Sequence, residues 1–300
     1  MEKIRKFVQS GMALLANGAW DFPWTRTISH SPLKVLCSPG LNCYSCPAAT
    51  TSCPLGALQQ LLLALRYNLE TGQALFGAYV LGSIGLIGAA IGRIVCGWVC
   101  PFGLIQELLH KIPSVKYGVH RQLRWVKYCL LLFFIVLLPL LWVGESGLGQ
   151  PWFCKYVCPA GTLEAGLPML ILQPELRATL GWLWWNKLAL LLGFVLWSIV
   201  ACRPFCRVAC PLGAFYGLFN RHALVRLRLD PSRCTGCEAC HAVCPTGVRF
   251  NENPGDAECI LCLRCLTEAC KVQAIQLDLA GVPLARVKAL ARQRNSRPPA

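Results

Sequence analysis

The chain has 300 residues, 55% of them hydrophobic and 14% charged, a net charge of +15 at pH 7 and a mean hydropathy of +0.48. That balance excludes a water-soluble globular enzyme, and 10 Trp with 12 Phe exclude disorder and coiled coil. What remains is a membrane protein whose 20 Cys fall into spaced clusters, unlike the scatter of a small secreted disulfide scaffold, so the thiols point to metal or redox work.

In chain order, the first apolar stretch runs from Phe7 to about Trp24, follows Lys3, Arg5 and Lys6, and contains Gln9, Asn17 and Asp21. It reads as an uncleaved anchor because no clear A-x-A site follows, with a signal peptide as the alternative. Ala74 to Gly92 is uncharged until Arg93 and carries Gly82, Gly85, Gly88 and Gly92, a small-residue face for close helix approach. Tyr128 to Gly144 is a third uncharged stretch. Leu183 to Ala201 is the fourth, with Lys187 placed to snorkel and Trp182, Trp184 and Trp185 as an interfacial belt.

Charge sets the orientation. Residues 93–127 carry six cations (Arg93, Lys111, Lys116, Arg121, Arg124, Lys127) against Glu107 alone, whereas residues 21–73 and 144–182 together carry five cations and five carboxylates. The positive-inside rule then predicts a multi-pass protein of the bacterial cytoplasmic membrane with both termini and the 93–127 loop in the cytoplasm. The basic tail Arg286 to Arg297 reads as solvated, and the net charge needs no nucleic acid to explain it.

A tetrapeptide recurs four times: Cys53-Pro-Leu-Gly, Cys100-Pro-Phe-Gly, Cys158-Pro-Ala-Gly and Cys210-Pro-Leu-Gly. Three copies have a Cys four residues earlier (Cys96, Cys154, Cys206), and the first is elaborated into Cys37, Cys43, Cys46 and Cys53. Pro suits the first turn of a helix, which puts each Cys at an N-cap, near unpaired amides and the positive end of the dipole. Such a thiol is suited to act as a thiolate, either as ligand or as redox nucleophile. Successive repeats lie one span apart and so alternate sides. Two four-thiol sets are therefore expected: Cys96, Cys100, Cys206 and Cys210 near the cytoplasmic surface, and Cys43, Cys46 or Cys53 with Cys154 and Cys158 near the outer one. Four thiolates suffice for an iron–sulfur cluster, with disulfides as the alternative for the outer set. Cys129, alone in a span, reads as packing.

The most specific signal is C-terminal: Cys234-x2-Cys237-x2-Cys240-x3-Cys244-Pro245, then Cys259-x2-Cys262-x2-Cys265-x4-Cys270. Three closely spaced thiolates wrap one cubane while the fourth Cys of each run reaches the other. Cys234, Cys237, Cys240 and Cys270 are thus expected to hold one [4Fe-4S] cluster, and Cys259, Cys262, Cys265 and Cys244 the second. Paired zinc sites would use CxxC pairs instead of two triplets with trailing Cys. Cys237-Glu-Ala-Cys240-His241 matches the haem-attachment pattern, but both thiols are already required by the ferredoxin spacing. The second run has an extra residue and Lys271 in place of Pro, which makes Cys270 the weakest of the eight assignments.

The predicted fold is a mainly α membrane protein: residues 1–222 with about four transmembrane helices plus interfacial helices, a ferredoxin-like 2[4Fe-4S] α+β module at 223–280, and a basic tail at 281–300. Cys96-Gly-Trp-Val-Cys100-Pro-Phe-Gly, Arg203-Pro-Phe-Cys206-Arg-Val-Ala-Cys210-Pro-Leu-Gly and the trailing module together resemble the membrane polyferredoxins. These include the NapH and MauN types, the membrane half of NosR, and CcoG. The resemblance implies four spans, cytoplasmic termini, two cytoplasmic [4Fe-4S] clusters and electron movement between quinol and a partner redox protein, the chain serving as the electron-transfer subunit of an oxidoreductase. The CcoG resemblance supplies the alternative, a metal- or disulfide-reducing assembly factor acting through the membrane Cys-Pro thiols. No His, Asp or Glu inside an expected span offers an evident proton relay. Arg93, Arg203 and Arg207 either offset charge at the membrane thiols or mark the inner boundary.

Overall fold

The computed structural model describes residues 1–65, 75–142, 149–280 and 282–283. The basic tail from Arg286, and the ends of two expected spans at Ala74 and Gly144, lie outside the described residues. The chain is mainly helical. The principal helices are α1 (Glu2–Ala16), α2 (Pro54–Leu63), α3 (Leu75–Ile91), α4 (Pro101–Leu109), α5 (Arg121–Leu141), α6 (Pro159–Leu172), α7 (Trp182–Val200) and α8 (Pro211–Phe219).

Among the described residues, two helices are long and apolar enough to cross a membrane: α5, with 21 residues and mean hydropathy 2.0, and α7, with 19 residues and mean hydropathy 1.6. Both leave large apolar side chains uncovered, Leu132, Phe133 and Leu141 on α5 and Trp182, Trp185, Leu192 and Leu196 on α7, as a lipid-facing surface does. At 17 residues, α3 is shorter. Pro139 interrupts α5: without an N–H, and with its ring crowding the preceding turn, it is accommodated by widening to π-type turns over Leu131–Leu137.

The expected span Phe7–Trp24 is not one helix. Instead, α1 begins at Glu2, ends at Ala16 with Asn17 as its C-cap, and is followed by a separate short helix at Phe22–Thr25. Its 15 residues rise only about 22 Å, short of a ~30 Å hydrocarbon core. The reason is chemical. Arg5 and Gln9, four residues apart and so on one face, are both fully buried against protein. Arg5 grips Glu107 through two bonds (3.1 and 2.6 Å) and the Gly97 carbonyl (2.9 Å), while Gln9 donates to the Cys100 carbonyl (2.8 Å).

The main core joins the helices around Val95, Phe102, Ile135, Phe153, Phe205 and Tyr216, all 4% exposed or less. Phe205 takes Phe102 and Phe194 edge-on at 5.1 and 5.2 Å. Beyond α8 the chain forms a small sheet in which β1 (Val225–Leu229) pairs antiparallel with β2 (Ile275–Leu279), Val225 opposite Leu279, and β3 (Val282–Pro283) follows on β2. Its inner face covers a separate core of Leu227, Val248, Phe250, Leu263, Leu266 and Ile275, with the Cys loops between.

Candidate metal centres

In the module, left-handed backbone at Glu238, Leu261 and Leu263 coils the Cys runs so that successive N–H groups turn toward sulfur. Ala239 donates to Cys237, Leu261 to Cys259 and Arg264 to Cys262. The trailing thiols are served alike: Val248 N–H donates to Cys244 Sγ at 3.3 Å, and Ala274 N–H to Cys270 Sγ at 3.2 Å. Cys270 therefore occupies the same position in its half of the module as Cys244 does in the other. The extra residue before it is absorbed by a π-type turn, Cys265–Ala269, closed by Cys270 N–H on the Cys265 carbonyl (2.9 Å).

Cys244, Cys259, Cys262 and Cys265 all interact electrostatically with one another and line one small hollow. Cys240 borders it as well. Cys234, Cys237, Cys240 and Cys270 line a second, more open hollow on the other side of the module. The two surroundings differ. Burial pushes the Cys259 thiol up to about 12, whereas Cys237 is exposed and held below the usual thiol range by the Ala239 N–H and the Thr235 hydroxyl.

In the membrane portion every Cys-Pro-x-Gly repeat starts a helix with Cys at the N-cap and Pro in the first turn. The Gly N–H turns back onto the sulfur in each: Gly56 on Cys53, Gly103 on Cys100, Gly161 on Cys158 (3.5 Å) and Gly213 on Cys210 (3.4 Å). The three Cys-x3-Cys repeats share a second device. Each closes through an i to i+5 bond, Cys100 to Val95, Cys158 to Phe153 and Cys210 to Phe205, at 2.9 to 3.0 Å. This wider turn aims both thiols of a pair at one point. The dipole end is thus present, but so is burial: Cys53, Cys100, Cys158 and Cys210 are 6 to 7% exposed. Burial opposes a free thiolate, and a bound metal would offset that opposition.

Cys96, Cys100, Cys206 and Cys210 come together, each interacting with the other three. They line a small enclosed hollow walled by Leu41, Phe102, Phe205 and Leu212. Two arginines brace it reciprocally. Arg93, beside the first pair, donates to the carbonyl of Cys206 (3.1 Å), and Arg203, beside the second, donates to the carbonyl of Cys96. Each passes over a repeat glycine, and a Cβ on Gly213 or Gly103 would stand 3.1 Å from a guanidinium nitrogen. Arg203 reaches its place from a left-handed backbone (φ 52°), a conformation a non-glycine residue adopts at a cost.

Both arginines are fully buried and paired: Arg203 with Glu107 (2.8 Å) and Arg93 with Glu258 (3.0 Å), which also pairs with Lys127. Arg203 and Arg5 share Glu107. These carboxylates, and Arg5, hold the bracing arginines in place, a role the sequence did not disclose. The available signal was Glu107 itself, the single acid in a segment with six cations.

Arg93 also ties the inner set to the module, donating to the Ala257 carbonyl (2.6 Å) as well as to Glu258. Trp98 Nε1 donates to the Leu261 carbonyl (3.0 Å), and a Cβ on Gly97 would collide with the Ile260 carbonyl. The loop bearing Cys259 and Cys262 therefore lies directly on the Cys96–Cys100 turn.

The remaining thiols gather around the first and third repeats. Cys43, Cys53, Cys154 and Cys158 all interact pairwise, with Gly161 packed against Cys43 and Cys158. Cys46 also interacts with Cys43 and lies by Lys34 and Glu164, but Cys53 interacts with Cys43, Cys154 and Cys158 alike, so of the two alternatives Cys53 stands among the four. Cys129 is exposed and outside every set.

Among the described residues no three His, Cys, Asp or Glu side chains close to the shell of a single metal ion. Four thiols with amides on their sulfurs are the donor type that iron–sulfur clusters use.

Comparison with known proteins agrees. A 4Fe-4S binding domain model matches residues 74–120, 130–169 and 183–230, and a second 4Fe-4S binding domain model matches 227–250. An uncharacterized protein of Methanocaldococcus jannaschii, MJ0750, is 30% identical over 200 residues, 63% of this chain and 74% of that one. The methylamine utilization ferredoxin-type protein MauN of Paracoccus denitrificans is 32% identical over 173 residues, 57% of this chain and 54% of its own. The ferredoxin-type protein NapH of Haemophilus influenzae is 27% identical over 203 residues, 63% of each. No solved structure matches. With the repeated Cys-Pro turns, the trailing Cys module and these relatives in agreement, the chain belongs to the NapH/MauN-type polyferredoxin family of iron–sulfur electron-transfer proteins.

Proposed function

We propose that this chain is a membrane-anchored electron conduit linking the quinone pool to a partner oxidoreductase, with both termini on the cytoplasmic side of a bacterial inner membrane and the module docked beneath the bilayer. Cys234, Cys237, Cys240 and Cys270 would hold one [4Fe-4S] cluster, Cys259, Cys262, Cys265 and Cys244 a second, and the inner set Cys96, Cys100, Cys206 and Cys210 a third. When bound, such clusters supply one-electron carriers, and the protein supplies position and tuning.

The observation that carries this reading is the contact between the Cys259–Cys262 loop and the Cys96–Cys100 turn, made through Arg93, Trp98 and Gly97. Arg93 interacts electrostatically with Cys96, Cys206 and Cys259. It therefore sits between two thiol sets, where its fixed charge stabilises added negative charge on either side. The apolar walls of the inner hollow exclude water, which keeps that influence strong. The inner set lies at the membrane, where a lipid-soluble quinol is the natural reductant.

Anaerobic purification with iron and sulfide counting, followed by EPR titration with dithionite and then a quinol analogue, tests this. About twelve or more irons per chain and reduction by the quinol analogue are expected. About eight irons and no reduction by quinol would overturn the reading and favour a metal- or disulfide-reducing assembly factor.

A further inference from the structure

We propose that electrons pass through the membrane rather than along one face, by way of a fourth iron–sulfur site formed by Cys43, Cys53, Cys154 and Cys158 and joined to the inner set by the Leu41–Asn42 peptide. This rests on the reading that the inner set holds a cluster.

The fourth set shares the inner set's Cys-Pro N-caps and amide-served sulfurs, with Glu164, which accepts from Cys43 N–H (2.6 Å), beside it where the inner set has paired arginines. All six thiol pairs interact. Every sulfur receives an N–H: Ser45 on Cys43, Gly56 and Asn42 on Cys53, the Gln59 side-chain amide on Cys154 (3.3 Å) and Gly161 on Cys158 (3.5 Å). Amides on sulfur spread the charge of ligated thiolates and tune the potential of the site.

The bridge is the decisive feature. Leu41 N–H donates to Cys100 of the inner set, and the next amide, Asn42 N–H, donates to Cys53 of the fourth set. Cys43, a member of that set, follows at once in the chain. Two N–H···S bonds and one peptide therefore separate the sulfurs, a span on the order of 10 Å. Leu41 and Asn42 are 2% and 0% exposed, and the segment is pinned from three sides. Tyr216 donates to the Pro39 carbonyl (3.1 Å), Asn17 donates to Asn42 (3.0 Å), and Gly40 lies so close to Cys100 that a Cβ would stand 2.9 Å from its Cα. A rigid, dry peptide path is what short-range electron transfer between fixed sites needs.

The two sets lie at different depths. Lys187, near the start of α7, donates to the Cys154 carbonyl (3.3 Å), whereas Arg203, beyond the end of α7, braces Cys96. From Lys187 to Val200 the helix rises about 20 Å. The path therefore runs from the module through the inner set toward the face opposite the cytoplasm. Each transfer oxidises one site and reduces the next by one electron, with no bond made or broken and no proton required.

Two measurements test this. Anaerobically purified wild-type protein is expected to hold about sixteen irons, with about four lost in Cys154→Ser or Cys158→Ser and none in Cys46→Ser or Cys129→Ser. Gln59→Leu, which keeps all four thiols, should retain its iron and shift the midpoint potential of one EPR signal. Proteoliposomes with ferricyanide trapped inside are then given titanium(III) citrate outside. Each Ti(III) becomes Ti(IV) and each ferricyanide becomes ferrocyanide, one electron for one. Bleaching well above the rate of empty vesicles is expected for wild type and should fall to that rate in Cys154→Ser.

About twelve irons in wild type, with Cys43, Cys53, Cys154 and Cys158 found as a disulfide or holding copper or zinc, overturns the fourth site and leaves the three-site reading standing. About eight overturns the inner site and, with it, this proposal. Sixteen irons with bleaching no faster than empty vesicles overturns the transmembrane path.

Discussion

The module and the membrane portion solve one problem, gathering four thiols, in opposite ways. In the module three of each four thiols come from one tight Cys-x2-Cys-x2-Cys coil, so the local backbone does most of the work. In the membrane portion each inner thiol pair comes from a different part of the chain, and the halves meet only because α7 and the short turns after it fold back on α4. The module is therefore expected to depend on bound metal, and the membrane sets on the braces around them.

This contrast predicts a graded series of effects. The largest should follow removal of iron. The module core has six buried apolar residues under a small three-stranded sheet, too little to stand without its ligated loops. Chelation should therefore lower hydrogen-exchange protection in β1 and β2 at least 100-fold while leaving α5 and α7 protected; equal loss in both regions would break the comparison.

Next come the buried ion pairs. Arg93→Ala leaves Glu258 and Lys127 buried without their third partner, and Glu107→Ala strands both Arg5 and Arg203. Each should cost about 3–5 kcal/mol, read as a lowered thermal midpoint. Arg93→Ala should also make the module more accessible to protease, because Arg93 holds the docking loop. Glu107→Ala should instead loosen α1, which Arg5 anchors, with faster exchange of its amides.

Smaller effects are expected at the repeat glycines. Gly103→Ala or Gly213→Ala places a methyl 3.1 Å from a buried guanidinium and should cost about 1–3 kcal/mol, with partial loss of iron from the inner set and none from the module. The smallest belongs to Gly82 and Gly85 on α3, where a Cβ meets nothing within 4 Å. Substitution there by Ala should be neutral or stabilise by up to about 1 kcal/mol, as thermal shift would show.

The same contrast explains what the sequence disclosed. The grouping of the eight module thiols rests on local spacing, and the extra residue before Cys270 is taken up by a π-type turn. The Cys-Pro N-caps were legible for the same reason. Choosing Cys53 over Cys46 was not, since it depends on the 37–53 segment folding inward to put Asn42 on Cys53. The partners of Arg93 and Arg203 were hidden too: Glu258 lies in the module and Glu107 on α4, and no spacing rule connects them. The stretch Phe7–Trp24 misled because apolar content was counted without its polar face, and Arg5 and Gln9, one helical turn apart, were the clue that α1 packs on protein.

The crossed grip of Arg93 on Cys206 and of Arg203 on Cys96 has a consequence for biogenesis. A nascent chain that has emerged only through its second helical hairpin possesses half a nest, with Arg93 still lacking both its carbonyl and Glu258. Full bracing of that nest waits until translation has passed residue 258, so a cluster held there as proposed would gain its last brace only after the helices before it are in place.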